Sequence, residues 1–257
     1  MVNVILIGSG NLAQHLIVAI QNAEKSDNTI RLIQVFARQK ESLTHLLDTD
    51  KITSDFTKIK EADLYIIAVS DDAITAVSTQ LPFKNCLVVH TSGTLNMDAL
   101  DNKNRKGVFY PLQTFTKNKP VDFKTIPICL ETTNNNDHEL IEKVGQTISN
   151  TIYKIDSQQR KALHVAAVFV NNFTNHLYHI GNEICNKNQI PFTILQPLIQ
   201  ETAQKILNLS PQQVQTGPAI RNDQNTIASQ EAFLTNENQK KIYKILTQSI
   251  QNNGKKL

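Results

Sequence analysis

The beginning of the chain constrains the fold more than any other stretch. The segment Val2–Ile7 reads VNVILI, which is typical of a buried strand. The turn Gly8-Ser9-Gly10 follows it directly. From Leu12 onward, apolar residues recur at the three- and four-residue spacing of an amphipathic helix. The order strand, glycine turn and helix therefore predicts the first unit of an α/β fold.

This turn matches the pattern G-x-G-x-x-G/A, and each small residue in it has a physical task. Gly8 permits the tight turn, Gly10 leaves room for a pyrophosphate, and Ala13 lets the helix pack closely on the sheet. The free N–H groups at the helix start then favour phosphate charge. The sequence has only 8 glycines in 257 residues, so two glycines within three positions are far more than the composition alone predicts. The alternative is a plain strand-to-helix turn that needs two glycines.

Composition excludes several classes of protein. A net charge of +3, without a long block of Lys and Arg, does not favour nucleic acid. No apolar run reaches membrane-spanning length, and Met1 leads directly into a strand, so we expect no membrane span and no signal peptide. Cys86, Cys129 and Cys185 are odd in number and far apart, and no His or Cys spacing indicates a metal site. The expected location is the reducing cytoplasm.

Strands and helices alternate through the first 155 residues, and the apolar strands predict a parallel sheet covered on both faces. The fold class is therefore α/β: a doubly wound Rossmann domain at 1–155, followed by an all-helical domain at 156–257. The later strands of the sheet are expected at 30–36, near 52, at 64–69, 86–90, 107–110, 126–131 and 151–155. Its helices after the first are expected at 40–47, 72–79 and 137–149.

The end of the second strand indicates which nucleotide would bind. NAD sites usually have an acidic residue there, which accepts hydrogen bonds from the ribose. Here the sequence continues Ala37-Arg38-Gln39, and Asp27 precedes the strand. Arg38 offers a guanidinium for a 2′-phosphate and favours NADP over NAD. The alternative is a solvated surface arginine.

The ends of the next two strands should lie at the same edge. Val69 and Ser70 are expected beside the second ribose and the nicotinamide, although Asp71 or Asp72 could equally cap the following helix. Ser92, in a run of hydroxyl and small residues, suits a close approach to the nicotinamide ring. His90 is either a general acid/base or a hydrogen-bonded core histidine.

Further candidates come from later segments. Tyr110 and Gln113 end another strand and would line the substrate side. A long helix from Asp156 or Ser157 to about Lys187 would bring His164 and Asn172 over the site in its first turns, as a proton donor and an orienting amide. A solvated helix face is the alternative.

The remaining helices are expected at 193–207, 211–214, 224–234 and 237–251. The loop Thr216–Asp223 contains a Gly-Pro turn, and its Arg221 would clamp a substrate carboxylate. Alternatively, Arg221 and Asp223 would pair with each other and fix the loop.

Several segments together resemble a known family. They are IGSGNLAQHL (7–16), ADLYIIAVSDDAI (62–74), HTSGTLNMDAL (90–100), GVFYPLQTF (107–115), RKALHVAAVFVNNF (160–173) and TGPAIRND (216–223). The chain resembles a bacterial family assigned as NADP-dependent oxidoreductases, of the type labelled DUF2520. That family is akin to pyrroline-5-carboxylate reductase and to deazaflavin-dependent NADP oxidoreductases.

The resemblance implies an NADP site on Gly8, Ser9, Gly10, Asn11 and Leu12. It also implies a cleft lined by Ser92, Gln113, His164, Asn172 and the 216–223 loop, and, by analogy, a homodimer formed through the helical domain. Two departures concern histidines that are common in such sequences. Here their places are taken by Tyr110 and Gln230.

The sequence thus predicts an NADP-dependent oxidoreductase that moves hydride between NADP(H) and a small carbonyl or imine substrate bound between the domains. A non-catalytic NADP-binding or redox-sensing protein is the alternative, because a fold does not dictate a function. A flavin or deazaflavin partner follows only from the family kinship.

Overall fold

The computed structural model describes residues 1–117 and 119–254 and divides the chain into two compact units, Met1–Asn171 and Asn172–Leu257. The last strand ends at Lys154, and the division falls 17 residues later, inside the long helical segment that follows. The first unit therefore carries the sheet together with the beginning of the helical segment that follows it. In the described residues, no helix has the length and apolar character needed to cross a membrane.

One sheet dominates the first unit. Within the described residues its strands lie in the order β3-β2-β1-β4-β5-β6-β7-β8, and β1 to β6 are parallel. The chain order reverses between β1 and β4, which is where ligands bind in open α/β sheets. The strands are β1 (Val2–Ile7), β2 (Ile30–Phe36), β3 (Ile52–Thr53), β4 (Leu64–Ile67), β5 (Leu87–His90), β6 (Arg105–Pro111), β7 (Ile128–Thr132) and β8 (Ile152–Lys154).

Helices cover both faces of this sheet because its side chains alternate between the faces. From β1, Val4 and Leu6 enter one apolar cluster and Ile5 and Ile7 the other. The first cluster packs against helices α1 and α3, and the second against α2. These helices are α1 (Asn11–Asp27), α2 (Asp71–Thr79) and α3 (Asn135–Ile148). The two-sided burial confirms the Rossmann class that the apolar strands predict.

Two expected details of this unit are wrong. The segment 40–47 forms only a 3₁₀ turn at Lys40–Ser42. There the hydroxyls of Ser42 and Thr44 donate to carbonyls three residues earlier, which competes with α-helix formation. β7 runs antiparallel to β6 instead of extending the parallel order, since the connection between them contains no α-helix to carry a crossover.

The long helix predicted after the sheet is present. Asp156 begins it with a capping box, in which its carboxylate accepts from the N–H of Gln159 and the Gln159 side chain accepts from the N–H of Asp156. It comprises α4 (Ser157–Ala167), a π-helical stretch (Val168–Phe173) and α5 (Thr174–Lys187). The second unit continues with α6 (Gln196–Lys205), α7 (Gln224–Phe233) and α8 (Glu237–Gly254). The helix expected at 211–214 is a series of turns.

Candidate functional site

The glycine turn has the geometry that its sequence predicts. Gly8 has φ +137°, and a Cβ built on it would lie 2.1 Å from the carbonyl oxygen of Ala68. Only glycine fits there, because the backbone conformation and the approach of β4 both exclude a side chain. A Cβ on Gly10 would meet no atom within 4 Å. Gly8 therefore holds the turn tight, while the backbone at Gly10 faces open space.

The start of α1 leaves this turn without a side-chain cap. Gly10 is the N-cap residue, and the first turn contains no acidic side chain. The leading N–H groups of a helix have no partner inside it, so those of Asn11 and Leu12 are available to an anion. The Ser9 carbonyl accepts from the Gln14 side chain at 3.0 Å, which holds the turn in place. This end of the helix fits a diphosphate.

Arg38 lies at the same edge of the sheet. Ile7 and Phe36 are paired at the ends of β1 and β2, and the N–H of Gly8 donates to the Phe36 carbonyl. Arg38 follows Phe36 by two residues and is exposed. Within the described residues its guanidinium forms no hydrogen bond or ion pair, which leaves it free for an external anion.

The residues after β4 and β5 are joined by a hydrogen bond. Ser70 is the N-cap of α2, and the carboxylate of Asp71 accepts from the Ser92 hydroxyl at 2.9 Å. The same hydroxyl oxygen accepts from the N–H groups of Thr94 and Leu95. A serine hydroxyl has one donor and two acceptor sites, so that of Ser92 is fully used. Its expected contact with a nicotinamide would have to use the backbone. Val69 is half-buried and Ser70 exposed beside it.

His90 is a core histidine. Its side chain is 0% exposed; Nδ1 accepts from the N–H of Ser92 at 3.1 Å, and Nε2 lies 3.3 Å from the Asn96 carbonyl oxygen. These partners assign the proton to Nε2. Burial, with a smaller contribution from the positive charge of Arg160, lowers the pKa of His90 to about 4. His90 is therefore a neutral, hydrogen-bonded core histidine and not a general acid/base.

Tyr110 and His164 form a direct pair. The Tyr110 hydroxyl lies 3.0 Å from His164 Nδ1, which joins the end of β6 to α4. Tyr110 is 8% exposed, and burial raises its pKa to about 12, so that the phenol is neutral near pH 7. A Cβ on Gly93 would lie 2.5 Å from His164 Nδ1 and 2.8 Å from the Tyr110 ring. Gly93 thus admits both rings beside the loop after β5.

Arg160 is a buried residue that sequence reasoning missed. It is 1% exposed, and its guanidinium forms an ion pair with Glu131, which lies on β7. It also donates to the Leu95 carbonyl at 2.5 Å and to the Ser157 hydroxyl at 3.2 Å, while its Nε has no partner in the described residues. The Glu131 carboxylate further accepts from the N–H and hydroxyl of Ser157. No local pattern indicates this burial, because Glu131 is 29 residues away.

The other expected site residues are all exposed. Gln113 is exposed, and its side chain accepts from the N–H of Thr114. Asn172, Thr216 and Arg221 are exposed and belong to the second unit, so their place in a site stays a prediction.

The alternative role for Arg221 is pairing with Asp223, and the described residues show no direct ion pair between the two side chains. Asp223 caps α7, accepting from the N–H and the hydroxyl of Thr226. Those two hydrogen bonds, with a smaller contribution from the positive charge of Arg221, lower the pKa of Asp223 below its usual value. Gln230, at one of the two departures from the family pattern, accepts from the Tyr243 hydroxyl.

In the described residues, no three His, Cys, Asp or Glu side chains are grouped as metal ligands.

Comparison with known proteins identifies the family. A domain of unknown function, DUF2520, matches residues 126–250. A crystal structure of a Bacteroides fragilis protein, provisionally named an NADP oxidoreductase, is 37% identical over 98% of both chains, with a TM-score of 0.86. The chain belongs to the DUF2520 family.

More distant structures share the fold. A Thermotoga maritima protein is 18% identical over 98% of both chains, with a TM-score of 0.75. A Plasmodium falciparum pyrroline carboxylate reductase with NADP bound is 13% identical over 99% of this chain and 97% of its own, with a TM-score of 0.61. No functionally curated protein matches the sequence.

Proposed function

We propose that this protein is an NADP-dependent oxidoreductase that transfers hydride between NADP(H) and a small carbonyl or imine substrate. The observation that carries the proposal is the glycine turn, in which Gly8 is fixed against Ala68 and the backbone at Gly10 opens toward a helix start. The free guanidinium of Arg38 follows the neighbouring strand at the same edge. The name of the Bacteroides fragilis relative agrees with this assignment.

Each part of the nucleotide has a candidate partner. The backbone of Gly8, Ser9, Gly10, Asn11 and Leu12 would hold the diphosphate, since the N–H groups and the helix dipole both favour negative charge.

The guanidinium of Arg38 would bind the 2′-phosphate through paired hydrogen bonds, which NAD cannot provide. Val69, Ser70 and the backbone at Ser92 would lie along the nicotinamide half. When bound, the nicotinamide supplies the hydride.

The Tyr110–His164 pair would supply the proton that the substrate gains during reduction. A carbonyl oxygen or imine nitrogen gains a proton as it gains hydride, and a neutral phenol held at 3.0 Å from an imidazole nitrogen can donate one. Tyr110 would give its proton to the substrate and recover one from solvent through His164, whose Nδ1 lies 3.0 Å from the phenol oxygen. Asn172, Arg221, Gln113 and Thr216 are the candidates for orienting the substrate.

The cofactor assignment is tested by nucleotide binding. Because the sequence has no Trp, energy transfer from tyrosine to NADPH or NADH gives a clean signal. Arg38→Ala should weaken NADPH binding by at least tenfold and leave NADH unchanged. Lys40→Ala, which removes a nearby exposed cation, is the matched control and should change neither. An unchanged preference for NADPH in Arg38→Ala would remove the 2′-phosphate assignment.

The proton assignment is tested by turnover on a panel of small aldehydes, ketones and cyclic imines. Tyr110→Phe and His164→Ala should each lower kcat at least a hundredfold while NADPH binding persists. Asn172→Ala should mainly raise KM. If NADPH protects the wild-type protein in a thermal shift but no panel member turns over, the non-catalytic NADP-binding protein becomes the better description.

We also propose that the chain forms a homodimer through its helical unit. In the described part of residues 172–254, only Cys185 and Ala219 are buried, although the helices carry many apolar side chains. Ile194, Leu198 and Phe233 are each more than 60% exposed. A unit of this size needs a buried core, and pairing with a second copy would supply it. Light scattering should give twice the chain mass, and Leu198→Glu should shift it toward the monomer.

A further inference from the structure

A groove of about 600 Å³ runs along α1 in the first unit, between that helix and the segment that precedes β7. Its apolar lining includes Val18 and Ala19 from α1, Phe123 from the opposite wall and Ile148 from the end of α3. Val18 is 40% exposed, whereas the other three belong to the first apolar cluster. The groove is therefore an opening onto the core, with a volume in the range of small-molecule sites.

Positive charge lies along one wall of this apolar lining. Lys117, Lys119 and Lys124 contribute to the groove, and Asp122 is the one acidic residue among the described residues that line it. Asp122 accepts from the backbone N–H of Lys124, and Lys124 Nζ donates to the Thr147 carbonyl at 2.8 Å. None of the three ammonium groups forms an ion pair with a described residue. An apolar floor with unpaired cations at its border suits a molecule that is apolar along its body and anionic at one end.

We propose that this groove is a second ligand site, which binds a small organic anion with an apolar body, such as a medium-chain carboxylate. The apolar body would cover Val18 and Phe123, and the carboxylate would accept from Lys117 and Lys119. This inference does not depend on the proposed oxidoreductase activity, because the four residues proposed to contact the ligand, Val18, Phe123, Lys117 and Lys119, have no part in the nucleotide or proton assignments. Asn11, which also lines the groove, belongs to the nucleotide assignment through its backbone, so NADPH enters the test as a competitor.

The wall that carries the lysines is fastened to α1. Asn11 Nδ2 donates to the Phe115 carbonyl at 3.1 Å, and the His15 ring nitrogen Nε2 lies 3.2 Å from the Thr116 carbonyl oxygen. The His15 and Phe115 rings are also in contact, with centroids 5.2 Å apart. These contacts hold residues 115 and 116 against α1 before a ligand arrives, which reduces the ordering cost of binding.

The natural sequence has no Trp, so a single tryptophan introduced beside the groove would be the sole source of indole fluorescence. Ser26 is exposed and lines the end of the groove farthest from the glycine turn. In Ser26→Trp, decanoate below its micelle concentration should shift the emission to shorter wavelength with a saturable, 1:1 dependence. Decan-1-ol, which has the same chain and no charge, should bind at least tenfold more weakly. Calorimetric titration of the unmodified chain with decanoate and with decan-1-ol gives the same comparison of affinities without the tryptophan.

Charge reversal then tests the anion contact. In the reporter background, K117E/K119E should weaken decanoate binding at least tenfold, because two cations that attract the carboxylate become repulsive. K60E/K84E is the matched control: it changes the net charge equally, at exposed lysines that do not line the groove. It should leave the decanoate Kd within twofold.

Four results would overturn the proposal. The first three are a decanoate response that does not saturate, equal affinities in K117E/K119E and K60E/K84E, and equal binding of decanoate and decanol. Full, stoichiometric displacement of decanoate by NADPH would also overturn it, since the groove would then be part of the nucleotide site. Simultaneous binding of NADPH and decanoate would support a separate site, and absence of NADPH binding would bear only on the proposed function.

Discussion

Removal of the Arg160 guanidinium should destabilise the first unit by about 3 kcal/mol. Arg160 is 1% exposed, and Arg160→Met would leave the Glu131 carboxylate, whose side chain is 14% exposed, without its counter-ion. Breaking a buried pair by removing one partner costs roughly 3–5 kcal/mol. We expect the lower end of this range, because Glu131 keeps two hydrogen bonds from Ser157.

Urea unfolding followed by far-UV circular dichroism measures this cost. One fixed protein concentration is needed, since any self-association adds to the apparent stability. In a thermal scan the loss corresponds to roughly 6–12 °C for a unit of this length. Lys161→Met is the matched control: it removes the adjacent, exposed cation and should change the free energy of unfolding by less than about 0.5 kcal/mol.

The double variant separates loss of the ion pair from loss of packing. R160M/E131M removes both charges together, so no carboxylate is left buried without a partner. It should be destabilised by at least 1 kcal/mol less than the sum of the two single variants. A cost below about 1 kcal/mol for Arg160→Met, or strict additivity in the double variant, would refute this account of the pair.

Three further outcomes follow from the site. Gly8→Ala should lower the melting temperature and abolish NADPH binding, because its methyl would overlap the Ala68 carbonyl; wild-type stability would contradict this steric account of the turn. Since buried His90 stays neutral while the unfolded chain takes up a proton below about pH 6.5, about 3 kcal/mol of stability should be lost between pH 6.5 and 4, measured by urea unfolding. His90→Asn should flatten that dependence, and an unchanged slope would count against it. Gly93→Ala should lower turnover at least tenfold and retain NADPH binding, and unaltered kinetics would argue against the Tyr110 assignment.

Local sequence patterns determine how much of the first unit can be predicted. The turn after β1 can be predicted from sequence because only glycine satisfies both the positive φ and the close backbone packing at Gly8. The strands can be predicted because both of their faces are buried, which makes their sequences continuously apolar, as at Leu64–Ile67. The helix prediction fails at 40–47 because apolar Leu43 and Leu47 are buried at helical spacing while hydroxyl-to-carbonyl bonds hold the backbone in turns.

Non-local contacts explain what could not be predicted. The burial of Arg160 depends on Glu131, and the full use of the Ser92 hydroxyl depends on Asp71, 21 residues earlier. Neither pairing leaves a periodic signal.

The long helix has apolar residues at helical spacing, among them Val170, Phe173 and Leu177, which is typical of a buried face. In the single chain, however, Val170 is 73% exposed and Phe173 is 50% exposed. A pattern can show that a face is apolar without showing which molecule covers it.

The Arg160 contacts also bear on the proposed chemistry through helix geometry. Asp156, Arg160 and His164 are spaced four residues apart, so they lie along one side of α4. Asp156 caps the helix, and Arg160 is bound to Glu131 on the sheet and to the Leu95 carbonyl in the loop after β5. These contacts fix the rotation of α4 one turn before His164. The 3.0 Å approach of His164 to Tyr110 thus depends on an ion pair that does not itself contact either ring.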